Sequence, residues 1–106
     1  MEDLSFKTEE LLDSDGNIIC KISYQISTVY RNLKGQYHRI GGPALIWHDN
    51  NDRSWWQNGK LHREDATAIE YGDKRHGEYF LEGENLTKEE FYKRMVKRRS
   101  KKLKSS

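Results

Sequence analysis

From Ile18 to Tyr30 the residues Ile18, Cys20, Ile22, Tyr24, Ile26, Thr28 and Tyr30 alternate with mostly polar neighbours. A period of two predicts extended chain with one covered face. Further on come two short β-prone runs, 44–47 (ALIW) and 68–71 (AIEY). Each is followed by a polar turn, Asp49-Asn50-Asn51-Asp52 or Gly72-Asp73-Lys74, and by a return strand over 53–57 or 77–81. Asn58-Gly59 is a strong hairpin dipeptide, and Asp13-Ser14-Asp15-Gly16-Asn17 reads as the turn that enters the strand region. After Gly83 the period becomes helical. Thr87 and Glu90 make a capping box, Leu86 and Phe91 a hydrophobic staple, and Phe91/Met95 with Tyr92/Val96 one apolar stripe. That stripe is expected to pack on the last hairpin and cover the edge of the sheet.

The strand signals repeat. Gly35, Gly59 and Gly83 are spaced by 24 residues. At the same offset His38-Arg39 becomes His62-Arg63, Ala44-Leu45 becomes Ala68-Ile69, and Trp47 becomes Tyr71. Trp55-Trp56 becomes Tyr79-Phe80. Stretches GQYHRIGGPALIW and GKLHREDATAIEY align without a gap, which points to tandem supersecondary units. Val29-Tyr30-Arg31-Asn32 before Gly35 echoes Trp55-Trp56-Gln57-Asn58 before Gly59 with two residues inserted, as a degenerate first unit would. The predicted organisation is a β-repeat domain over 1–84, with a degenerate repeat at about 11–34 and repeats at 35–58 and 59–82. A helix over 85–99 and a basic tail over 100–106 follow. The fold class is mainly β: an antiparallel hairpin meander of 24-residue period capped by one C-terminal α-helix.

The strings NGKLHRED and YGDKRHGEYFLEG resemble MORN-type repeats and related bacterial antitoxin-like repeats, over about residues 29–83. His38-Arg39-Ile40-Gly41-Gly42-Pro43-Ala44 is similar to an HR-x-x-GPA variant common in phage and giant-virus proteins. The resemblance implies a single-layer array of β-hairpins. It also implies a phage-encoded inhibitor of a bacterial defence protein, such as a CRISPR nuclease, as a reading of function. Ala66-Thr67 replaces the Gly-Pro of the first unit, so the second turn departs from the pattern.

Composition narrows the picture. The chain has 106 residues, 34% apolar and 34% charged, so a core must be thin and aromatics must supply much of it. A lone cysteine, Cys20, forms no internal disulfide and reads as a half-buried strand residue. With an acidic start, no signal-like apolar stretch and no membrane-length run, a cytoplasmic setting is expected and a membrane partner is not. Charge is uneven. Residues 93–106 carry eight basic groups and no acidic one, leaving eleven basic against 17 acidic in 1–92, a net of −6.

The chemistry-bearing residues point away from catalysis. An EF-hand loop from Asp13 would need glycine at Ile18 and glutamate at Tyr24, so a hairpin turn is the better reading. Duplicated His38-Arg39 and His62-Arg63 suit a structural duty, histidine capping a turn and arginine covering an aromatic face. His48 and His76 are solitary at turn edges. No nucleotide, nucleophile or metal motif is present, and neither a cofactor nor a metal is expected. A protein partner is expected, contacted through Trp47, Trp55, Trp56, Tyr71, Tyr79 and Phe80, one member of each adjacent pair facing out. The alternative is a nucleic-acid-binding accessory protein using the exposed aromatics and the basic residues Lys97, Arg98, Arg99, Lys101 and Lys102. A second copy of the chain, joined at a sheet edge or face, is a further expected partner.

Overall fold

The computed structural model describes residues 6–73 and 76–104, leaving aside the side chains of 6 and 100–104. Among the described residues ten strands precede one helix: β1 (Phe6–Leu12), β2 (Ile18–Tyr24), β3 (Ser27–Asn32), β4 (Leu45–Trp47), β5 (Arg53–Ser54), β6 (Trp56–Gln57), β7 (Lys60–Leu61), β8 (Ile69–Glu70), β9 (Gly77–Leu81), β10 (Glu84–Leu86) and α1 (Lys88–Lys104). Eight strands form one antiparallel sheet in the order β1-β2-β3-β4-β5-β8-β9-β10, and β6 and β7 form a separate ribbon. The chain is a hairpin meander with one C-terminal helix. Its extents, 57 × 33 × 17 Å, are those of a sheet one layer thick.

The 24-residue period is carried by backbone hydrogen bonds. Tyr30 N–H donates to Ala44 O and Trp55 N–H to Ala68 O, each at 2.7 Å; His38 N–H donates to Tyr30 O and His62 N–H to Trp55 O, each at 2.9 Å. Ala44 and Ala68 are fully buried at these crossings. The bonds set Tyr30 against Trp55, and the bridge of Arg31 to Tyr37 matches that of Trp56 to Leu61. The first unit thus carries one extra turn residue, and Tyr30, not Val29, takes the place of Trp55. Type I′-like turns recur at Asn58-Gly59 (φ 51° and 81°) and Glu82-Gly83 (φ 49° and 86°).

Several elements differ from the sequence expectation. The alternating stretch 18–30 is two strands, β2 and β3, turned at Gln25-Ile26; in β2 the buried position is Ile19 rather than its exposed neighbour Ile18, whereas Thr28 and Tyr30 of β3 are buried. Strand β1 had no sequence signal, since FKTEELL follows neither period cleanly. The return strand 53–57 is broken at Trp55, whose backbone turns to bond Ala68 and His62. Gly77–Leu81 is a strand as predicted. Ala66-Thr67 keeps the arginine clamp, Arg63 Nη1 donating to Thr67 O at 3.2 Å just as Arg39 Nη1 does to Pro43 O. The backbone differs one step earlier: Gly41 has φ 95°, a left-handed value that its counterpart Asp65 does not share.

Two small clusters make the core. One joins Ile19, Tyr30 and Ala44 with Tyr37, Ile46 and Trp56 at its margin; the other joins Leu81, Leu86 and Phe91 with Tyr79 and Met95. The helix starts after Thr87, not at 85, because 84–86 complete the last hairpin. Thr87 Oγ1 accepts from Glu90 N–H, and the Glu90 carboxylate accepts from Thr87 N–H, so the capping box forms. Leu86 and Phe91 meet in the core as the staple predicted, and α1 packs on β9 and β10. It continues through 100–104, where a tail was expected.

Candidate functional site

The repeated His-Arg pairs are joints between successive units. The Asn58 N–H donates to His38 Nδ1 at 3.0 Å, and the Glu82 N–H to His62 Nδ1 at 2.9 Å, each histidine capping the hairpin turn 20 residues on. With Nδ1 accepting, Nε2 donates: His38 to Asp13 Oδ2 at 3.3 Å and His62 to Glu64 Oε2 at 3.0 Å. Both imidazoles are buried with both nitrogens engaged. Arg39 lies 4.1 Å from the Tyr30 ring centroid and Arg63 3.8 Å from that of Trp55. Stacking of this kind holds each arginine over its ring by charge and covers apolar surface with its stem.

Asp13 closes the first joint. Its Oδ1 accepts from the N–H groups of Asp15 and Asn17 at 2.9 and 2.8 Å, the expected hairpin turn in Asx form. These backbone donors, above all Asn17, and the His38 bond hold its carboxyl below the ordinary range against the opposing effect of burial. The Glu84 carboxyl is also lowered, by the bidentate contact from Arg94 at 2.9 and 3.1 Å. Carboxyls depressed on folding contribute stability in full above their unfolded values and lose it as pH falls through the folded ones. These two carboxyls are therefore expected to take nothing from the midpoint of urea unfolding down to about pH 4.5 and to lower it below that. Asp13→Asn should flatten that drop; an unchanged acid limb in the variant would remove Asp13 as its source.

The predicted contact aromatics divide by environment. Trp55 is half-buried between Arg63 and Arg53, the latter 5.8 Å from its ring. Trp56 is half-buried edge-on to Tyr37, with centroids 5.2 Å apart, and its Nε1 donates to Ser54 Oγ at 2.7 Å. Tyr79 lies under the helix, 4.6 Å from the Phe91 ring. Tyr71 donates to Glu78 at 2.7 Å, and that bond pushes its phenol up. Phe80 is half-buried in β9. Neither member of either adjacent pair turns wholly outward. Trp47 is more open than any of these, 40% exposed at the end of β4.

Beside Trp47 the β2–β3 turn raises Ile26, 62% exposed, and Tyr24, Gln25, Ile26, Ser27 and Trp47 line a shallow cavity of about 420 Å³. His48 fastens the two sides. Its N–H donates to Ile26 O at 2.9 Å, Nδ1 donates to Gln25 O at 3.1 Å, and Nε2 accepts from the Thr28 hydroxyl at 2.8 Å. Ser27 pairs with Trp47 across the ladder. The notch is therefore apolar, open and rigidly backed. Sequence reading found Trp47 but placed Ile26 within a strand, and Gln25-Ile26 carries no glycine, proline or asparagine to mark a turn.

The basic end is partly spent within the chain. Arg98 Nη1 donates to Glu64 Oε2 at 3.0 Å, and Nη2 lies 3.8 Å from Glu82, tying the helix to the second joint. Lys97 and Arg99 are exposed, while the side chains of Lys101 and Lys102 lie outside the described residues. Cys20 is half-buried and free. Among the described residues no group of three or more His, Cys, Asp or Glu is placed to hold a metal ion, and no helix is long and apolar enough to cross a membrane. Comparison with protein-family models, curated proteins and solved structures finds no match.

Proposed function

We propose that this chain is a non-catalytic protein-binding module of MORN-like hairpin repeats whose contact surface is the notch around Trp47. The observation that carries the reading is an exposed tryptophan beside an exposed isoleucine on a backbone braced by His48. Aromatic anchors on rigid supports supply much of the energy at protein interfaces, and exposed apolar patches mark such surfaces. The histidines that would attract a catalytic reading are engaged at both nitrogens, which supports a structural duty for them. Arg94 and Arg98 are paired internally, which favours a protein over a nucleic-acid partner. The likeness to phage and giant-virus repeats makes a bacterial defence protein, such as a CRISPR nuclease, the first purified partner to try.

Tagged protein captured from bacterial lysate, with and without nuclease, tests the reading. One stoichiometric protein is expected to survive nuclease, and Trp47→Ala should weaken it by about 2 kcal/mol, roughly thirtyfold. Charge reversal at Arg99 should leave it bound. Capture that vanishes with nuclease and with Arg99→Glu, but not with Trp47→Ala, would transfer the function to the basic helix.

A further inference from the structure

We propose that the chain self-associates through β1, which pairs antiparallel with β1 of a second copy about a two-fold axis at Thr8. One terminal strand of the sheet, β10, is packed by α1; the other, β1, has seven residues and pairs only with β2 among the described strands. An edge of that length is a template for strand addition.

The register follows from the ladder. Asp13 N–H donates to Asn17 O at the hairpin turn. Counting back by twos, Leu11, Glu9 and Lys7 direct their backbone groups at β2, opposite Ile19, Lys21 and Ser23. Leu12, Glu10, Thr8 and Phe6 then direct theirs outward. The far side of the sheet agrees, for the same alternation carried through β2 and β3 points Tyr30 N–H at Ala44.

Charge selects among the two-fold registers that keep outward groups opposite one another. An axis at Lys7 opposes two ammonium groups, and axes at Glu9 or Glu10 oppose two carboxylates. An axis near Leu12 leaves too few residues paired. At Thr8 the two threonines face each other as a hydrogen-bonded pair, and Phe6 backbone groups meet those of Glu10. Lys7 stands opposite Glu9 of the second copy in a non-hydrogen-bonded pair, the kind in which side chains come closest. Symmetry makes that ion pair twice. Glu9 already has Lys21 4.0 Å away on its own sheet, so the interface would extend an existing alternation of charge.

Sedimentation velocity over about two orders of magnitude in concentration is expected to show a reversible monomer–dimer equilibrium. Lys7→Glu and Glu9→Lys should each weaken dimerisation about tenfold or more. Mixed in equal amounts, the two variants should form a heterodimer, because each then meets the opposite charge at both positions. Thr8→Pro, which removes an outward N–H and none directed at β2, should also give monomer. Circular dichroism confirms that each variant keeps its sheet. Wild type that stays monomeric throughout, or charge variants that dimerise alone as well as together, would overturn the proposal.

Discussion

Phe91→Ala is expected to lower stability by about 3–5 kcal/mol and to release the helix from the sheet. Phe91 is 1% exposed, the largest fully buried side chain among the described residues. It packs on Leu81 and Leu86, with the Tyr79 ring 4.6 Å and the Tyr92 ring 5.3 Å away. Met95, half-buried at the margin of the same cluster, and the edge of the Tyr92 ring against Tyr79 are the lesser apolar contacts of α1. An isolated helix of 17 residues is marginal in water, and the exposed pairs Arg94–Glu84 and Arg98–Glu64 contribute little each. Among the described residues the core is two small clusters, so losing the centre of one should shift the whole urea transition and reduce helical circular dichroism. Tyr92→Ala, on the exposed neighbouring position, should cost less than about 1 kcal/mol. Equal midpoints for the two variants would show that the staple does not anchor the helix.

Gly72→Ala is expected to cost about 2–4 kcal/mol and to weaken partner binding as well. A Cβ on Gly72 would collide with the Asn50 carbonyl oxygen, far inside van der Waals contact, and lie 2.8 Å from its carbon. Gly72 N–H also donates to Asp52 Oδ1 at 2.7 Å, so the turn of one repeat rests on the turn of the next. Backbone cannot yield as a flexible side-chain end does, and the 49–52 turn must move. Trp47 moves with it, since Trp47 N–H donates to Asp52 O and Asn51 N–H to Trp47 O, both at 2.9 Å. Gly35→Ala is the control. Its Cβ meets nothing within 4 Å, and only the φ of 82° penalises it, by about 1 kcal/mol. A Gly72→Ala midpoint no lower than that of Gly35→Ala would refute the close-approach argument.

The histidine–arginine joints show how far sequence reading reaches. Recurrence of His38-Arg39 as His62-Arg63 pointed to a cap and an aromatic cover, and both are present. The acceptor's distance was hidden, because each cap serves a turn 20 residues on and is fixed by stacking of units. Likewise Thr87 to Phe91 announced the helix start through local hydrogen bonding, whereas its continuation to Lys104 lies in a run of lysines and arginines that a helix and a solvated tail accommodate alike. Strand β1 escaped notice because an edge strand with mostly exposed residues need not alternate. The β2–β3 turn escaped because Gln25-Ile26 holds no glycine, proline or asparagine and Ile26 continues the alternation.

What the residues alone determined is local and periodic: the 24-residue unit, its glycine turns, the antiparallel meander and the capped C-terminal helix. These follow from φ preferences, period and short-range hydrogen bonds, which act within a unit. Only the tertiary structure decided which aromatics stay outside. Trp47, Trp55 and Trp56 differ little in sequence context, yet Arg63 covers one, Tyr37 abuts another, and the third stands open beside Ile26. In a sheet one layer thick both faces carry aromatic side chains, so exposure depends on what arrives from a neighbouring repeat, and that is a matter of stacking rather than of sequence pattern.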